Sequence, residues 1–135
     1  MKILVIDDDR DIANLLIEHL QDAGHAVNYA DNGRDGLDLA IADSVDLIIL
    51  DRRLPENIDG IYLLKILRAD NNQTPVLILS GQANIYDHIE GFRAGTDDYL
   101  GKPFTLKELD LRIDAIIKGW RAKLTATAGP LAATP

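Results

Sequence analysis

Cysteine is absent from the 135 residues, so neither a disulfide nor a thiolate-held metal can form in this chain. A reducing compartment is compatible with that absence, and the cytoplasm is the expected location. Basic residues are the minority: 14 Lys and Arg stand against 22 Asp and Glu, for a formal charge of -8. Such an acid surplus argues against direct binding of the folded portion to nucleic acid or to an anionic membrane. Long apolar runs are missing too. The stretch Met1 to Ile6 is apolar but stops at three acids, too short for a signal peptide and far too short to span a bilayer. No helix-turn-helix or winged-helix pattern fits in the tail, so these residues are not expected to read DNA bases through such a module. What remains is a chain with 47% apolar residues, enough for one domain with a real core.

That apolar content is concentrated in short blocks. Ile3-Leu4-Val5-Ile6 runs into Asp7-Asp8, Leu47-Ile48-Ile49-Leu50 into Asp51, and Val76-Leu77-Ile78-Leu79 into Ser80. Uninterrupted apolar tetrads separated by helical stretches read as strands buried on both faces, hence as a parallel sheet covered by helices on each side. Ligands of such sheets sit at the carboxyl ends of the strands. If the three strands are neighbours, three carboxylates and a hydroxyl converge there, and their repulsion calls for a proton or a divalent cation; Mg²⁺ is the cheaper reading.

The rest of the chain fills in five βα units. Ile12, Leu15, Leu16 and Leu20 repeat at helical spacing, Gly24 ends that helix, and a strand follows near Ala26 to Ala30. Asp31-Asn32-Gly33 signals a turn, and Leu37, Ala40 and Ile41 mark a second helix ending before Ser44. After Asp51 comes a loop with Pro55 and Gly60, then a helix carrying Leu63, Leu64 and Leu67, which stops ahead of Pro75. The helix around Ile85 to Ala94 has a weak stripe of Ile85, Ile89 and Phe92 and is the one freest to move; Tyr99-Leu100 makes a minimal fifth strand. Thr105 and Glu108 have capping-box spacing, and Leu109, Ile113, Ile116 and Ile117 form the inward stripe of a last helix ending near Gly119. Residues 1–118 are therefore expected to form one domain, with 119–135 as a flexible linker or unstructured tail of Ala, Thr, Gly and Pro. The fold class predicted is α/β: a doubly wound, flavodoxin-like (βα)5 sandwich with a five-stranded parallel sheet in the order 2-1-3-4-5.

Asp7, Asp8 and Asp9 lie where a strand turns into a helix, and one of them suffices to cap it. A consecutive acidic pair exceeds that need, so Asp7 and Asp8 read as metal ligands and Asp9 as the cap. Asp51 follows its strand with no polar spacer and faces that pair. Ser80, before Gly81, could merely begin a turn. Lys102, before Pro103, could be a solvated loop lysine, yet after the fifth strand it can reach the acidic crevice and supply a cation for phosphate. Together these residues read as an anion site built around a metal.

In these residues, from Met1 to about Lys118, the chain resembles the receiver (CheY-like) domain of two-component response regulators. The resemblance rests on Asp7 and Asp8, the Asp-x-x-Leu-Pro segment Asp51 to Pro55, Ser80 followed by Gly81, and the run Gly95 to Phe104. It implies that Asp51 accepts a phosphoryl group from a histidine kinase, that Ser80 bonds a phosphoryl oxygen and that Lys102 pairs with the group. It implies further that Asp8 and Asp51 ligate Mg²⁺ directly, Asp7 through water and Arg53 through its main-chain carbonyl, that Arg53 and Gln82 tune the lifetime of the acyl phosphate, and that the Lys102–Pro103 bond is cis. Such a domain is no enzyme toward a separate substrate; it catalyses only its own phosphorylation and dephosphorylation. About 1.5 to 2 added negative charges at a strand end are enough to bias a bistable element, and the resemblance names Ser80 and Tyr99 as its readout, although Tyr99 also fits simple core packing.

Asp97, Asp98, Glu108 and Arg112 resemble the dimer surface of the OmpR/PhoB-type winged-helix transcription factor subfamily, formed by the fourth helix, fifth strand and fifth helix. An Asp98–Arg112 bridge between subunits is expected on that pattern. His88, Asp114 and Gly119 depart from it, standing where that subfamily usually has basic residues, and the segment Pro55 to Gly60 is one residue longer than the common loop. The resemblance thus implies transcriptional output through a DNA-binding domain outside these residues, with a stand-alone receiver acting by protein docking as the alternative. Two rival chemistries are disfavoured. Haloacid-dehalogenase phosphatases carry an Asp-x-Asp pattern that is missing after Asp51, and a flavin carrier would need a Thr/Ser/Gly-rich phosphate loop where this chain has Asp7-Asp8-Asp9.

Overall fold

In a computed structural model, which describes residues 1–42, 44–81 and 85–133, with side chains at 85–87 and 124–133 left aside, the elements alternate as expected. They are β1 (Lys2–Ile6), α1 (Arg10–Asp22), β2 (Ala26–Ala30), α2 (Gly33–Ala42), β3 (Leu47–Asp51), α3 (Gly60–Ala69), β4 (Val76–Ser80), α4 (Ile85–Ala94), β5 (Asp98–Gly101) and α5 (Leu106–Ala133). The five strands pair in parallel in the order β2-β1-β3-β4-β5, the order predicted from the sequence. The central strands are buried on both faces because their residues alternate between two cores. Leu4, Ile6, Ile48, Leu50, Val76 and Ile78 pack with side chains of α2, α3 and α4. Ile3, Val5, Leu47, Ile49, Leu77 and Leu79 pack with Leu16 and Leu20 of α1 and Leu109, Ile113 and Ile116 of α5.

Helix starts follow the capping chemistry. The Asp9 carboxylate accepts the N–H groups of Asp11 and Ile12 at 3.0 and 3.2 Å, as assigned from the sequence. Thr105 Oγ1 accepts the Glu108 N–H at 3.1 Å at the head of α5. Helix stripes are less faithfully read. Leu15, Ile41, Ile89 and Phe92, part of the apolar spacing that marks these helices, are exposed. Ala13, Ala40 and Ala94 are buried among the helix residues, with Gly36 and Gly91 buried too. Small residues let a helix approach a flat apolar layer closely, which pushes neighbouring large side chains outward.

The last helix runs on to Ala133, past the end near Gly119 that the sequence pattern places. Gly119 costs only about 1 kcal/mol relative to Ala, and Arg121 to Leu124 after it are good helix formers; Gly129 and Pro130, farther along, are carried in spite of poor propensity. Among the described residues no helix is long and apolar enough to cross a membrane. The lengthened loop after β3 folds into a ribbon, with Arg53–Leu54 antiparallel to Ile58–Asp59. Its tip places Glu56 and Asn57 at φ 64° and 59°, so the extra residue is taken up in left-handed backbone.

Candidate functional site

Parallel register brings the strand ends together. Ile6 pairs with Leu50, so the next residues, Asp7 and Asp51, emerge side by side at the carboxyl edge of the sheet. Carboxylate oxygens of Asp7, Asp8 and Asp51 lie within 4.8 Å of one another. Asp7 is fully buried and Asp51 is 6% exposed, while Asp8 faces solvent. Asp7 Oδ1 accepts the Asp9 N–H at 2.9 Å. Lys102 reaches in from the loop after β5: its Nζ donates to Asp7 Oδ2 at 3.2 Å and stands 3.3 Å from Asp51 Oδ1. Ser80, at the end of β4, is 3% exposed, and its carbonyl accepts the Lys102 N–H at 2.7 Å. The Lys102–Pro103 peptide is cis. Arg53 follows on the exposed side of the ribbon, and Gln82 lies outside the described residues.

The electrostatics follow from this crowding. Burial, then the Asp7 charge, push the Asp51 carboxyl up to about 6, with Lys102 pulling the other way. Burial lowers the Lys102 ammonium, but the Asp51 and Asp7 charges outweigh it and hold the group above the usual lysine range. A cluster that raises an acid and a base together has an unmet demand for positive charge. Three oxygen donors of hard character within reach of one point fit Mg²⁺, which binds through a few carboxylates and keeps waters.

Gly60 marks how tightly the end of β3 is held. Its N–H donates to the Arg52 carbonyl at 2.6 Å, and an added Cβ would collide with the Asp51 carbonyl oxygen. Gly60→Ala is therefore expected to destabilise the fold by about 1 to 3 kcal/mol, read as a lower urea midpoint at unchanged slope, because backbone rather than a flexible side chain must move.

Tyr99 is 2% exposed, with its ring centroid 4.5 Å from that of His88. Three residues of the expected dimer surface, Asp97, Asp98 and Arg112, have partners within the chain. The Asp97 carboxylate accepts the Val76 N–H at 2.9 Å and Arg68 Nη2 at 3.3 Å. Arg112 Nη1 stands 3.3 Å from Asp98 Oδ2 of the same chain, since β5 and α5 are neighbours. Glu108 is exposed at the head of α5. Sequence reasoning missed Arg52, which is 8% exposed and the one basic side chain among the buried residues described. An arginine after an acid reads as a solvated loop residue, and its partners lie too far along the chain to suggest otherwise.

Comparison with known proteins agrees with this geometry. Residues 3–114 match the family described as response regulator receiver domain. The chain is 44% identical over 117 residues to the transcriptional regulatory protein CpxR of Escherichia coli, covering 87% of this chain and 49% of CpxR. It is 37% identical over 118 residues to the response regulator MprA of Mycolicibacterium vanbaalenii, covering 87% of this chain and 51% of MprA. The chain thus spans about half the length of these curated relatives. Among solved structures, the receiver domain of the Francisella response regulator 1452 superposes with a TM-score of 0.81 at 41% identity, covering 87% of this chain and 96% of that one.

Proposed function

Since the chain belongs to the family of two-component response regulator receiver domains, we propose that Asp51 is its phosphoacceptor and that a sensor histidine kinase is the donor. The observation carrying this reading is the placement of Asp51 against Asp7, Asp8 and Lys102 at the carboxyl edge of the sheet. An Asp51 oxygen attacks the phosphorus of a phosphohistidine in line; the new P–O bond forms as the P–N bond breaks, and the imidazole departs. The Lys102 ammonium faces the oxygens on which negative charge spreads, and the Ser80 hydroxyl donates to one of them. Asp8 and Asp51 would hold Mg²⁺ directly, Asp7 through water, and Arg53 through its carbonyl. When bound, the ion neutralises phosphoryl charge and the repulsion among the acids. The chemistry is confined to the protein's own carboxylate, so no separate substrate is turned over. Incubation with acetyl phosphate and Mg²⁺ followed by intact mass measurement tests the assignment.

Mg²⁺ alone is expected to stabilise the chain. At a hundredfold excess over its dissociation constant the gain is about 3 kcal/mol, measured as a rise in Tm, and Asp8→Asn removes most of it. Phosphorylation then acts through Ser80 and Tyr99 on the surface formed by α4, β5 and α5. That surface exposes Ile89, Phe92 and Leu111, apolar area suited to a second copy, with Asp97, Asp98, Glu108 and Arg112 at its charged rim. The output is transcription through a DNA-binding domain of the intact protein, in the cytoplasm, with residues 1–118 as the receiver unit and 119–135 as the connection. Relatives bearing the name transcriptional regulatory protein support this output.

A further inference from the structure

Arg52 ties four elements together. Its backbone is locked to the acceptor region, with its N–H donating to the Leu79 carbonyl of β4 at 2.9 Å and its carbonyl accepting from Gly60. Its guanidinium leaves that backbone on the side of α3 and α4. There Nη2 donates to Glu90 Oε2 of α4 at 2.9 Å, Nη1 donates to the Tyr99 hydroxyl of β5 at 3.3 Å, and Nε lies 3.5 Å from Asp59 Oδ1. Asp59 in turn caps α3 through the Ile61 N–H at 2.9 Å. A planar guanidinium has donors enough for three such partners in a fixed fork. Among the described apolar side chains of this helix, Ile89 and Phe92 are exposed and the small Ala94 is the buried one.

We propose that Arg52 is a positioning residue that fastens α4 and the Tyr99 ring to the end of β3 before any phosphoryl group arrives. This rests on Asp51 being the acceptor, because Arg52 is its covalent neighbour and passes a shift of the acceptor backbone directly to Glu90 and Tyr99. The α4–β5 face is in consequence ordered in the resting protein, and the Arg52–Glu90 bond sets how much phosphorylation must overcome.

Amide hydrogen exchange on the full chain tests the assignment. Glu90→Gln, a change at a half-exposed side chain that leaves the fold intact, is expected to speed exchange in α4 about three- to fivefold, and Arg52→Leu about tenfold. Arg52→Lys leaves the Tyr99 ring NMR signals, assigned through Tyr99→Phe, displaced as in Arg52→Leu, because an ammonium cannot serve the three partners in one plane. Acetyl phosphate still labels Asp51 in every one of these variants. Unchanged α4 exchange in both Glu90→Gln and Arg52→Leu would overturn the proposal, as would an equal acceleration in α1 and α5, which signals a general loss of stability. Failure of the wild-type chain to take up a phosphoryl group would instead strike the acceptor reading and leave the exchange result standing by itself.

Discussion

Asp51→Asn is expected to abolish the Mg²⁺-dependent mass gain from acetyl phosphate entirely, while the unphosphorylated variant becomes more stable than the wild type at neutral pH. Both outcomes come from the same carboxylate. As the proposed nucleophile it has no replacement in the cluster: Asp7 is fully buried and paired with Lys102, and Asp8 faces solvent. As a charge it is a burden, since burial and Asp7 raise its pKa from 3.8 to about 6. A raised folded pKa means that the native state binds more protons than the unfolded chain between those values. Its favourable contribution is complete below pH 4 and vanishes as pH climbs through 6, leaving a cost of roughly 3 kcal/mol at pH 7. An amide has no such titration. Urea unfolding of the variant, without Mg²⁺, is therefore expected to show a higher midpoint at pH 7 and a flatter pH dependence over the range 4 to 7. A mass gain retained by Asp51→Asn would refute the acceptor assignment; a midpoint below that of the wild type would refute the electrostatic account.

Lys102→Met is expected to do the reverse to stability and to slow phosphorylation. The ammonium is the cation shared by Asp7 and Asp51, at 3.2 and 3.3 Å. Deleting one partner of a buried ion pair leaves an uncompensated charge, and the cost is about 3 to 5 kcal/mol. Here two carboxylates are left facing one another, so Asp51 is driven further up. The loss is largest at pH 7 and shrinks as pH falls through the range where Asp51 takes up its proton. Saturating Mg²⁺ restores a large part of it, since the ion supplies positive charge at the same edge. Labelling by acetyl phosphate slows about a hundredfold, the effect typical of removing one preorganised donor from a developing charge. A variant with wild-type unfolding at pH 7 would mean that Lys102 is solvated rather than paired.

Most of the frame could be read without coordinates. Tetrads such as Ile3 to Ile6 and Leu47 to Leu50 are too apolar to lie anywhere but within a covered sheet, and each ends abruptly in a group that cannot stay inside it. That pattern pointed to a covered parallel sheet, and the five βα units supplied the strand order in which Asp7, Asp8 and Asp51 meet. Asp9 and Thr105 were legible for a related reason, since a cap bonds to residues two or three positions away. The exposure of Leu15, Ile41, Ile89 and Phe92 was not legible, because periodicity gives the repeat of a helix but not its rotation against a sheet. Gly119 was read as a helix end because a weak helix former looks like a stop, yet Arg121 to Leu124 just beyond it carry the helix on.

Residue type, strand pattern and capping chemistry thus determined the fold class, the acidic cluster at the strand ends and the kind of ion it suits. All of these depend on local spacing and on the cost of burying a charge. Tertiary structure decided which partner each charged side chain takes: Arg52 with Glu90, Asp97 with Arg68, Asp98 with Arg112 of its own chain. Their separations in sequence run from 14 to 38 residues. An ion pair forms wherever packing brings the two groups within about 4 Å, and only the assembled sheet and helices set that distance.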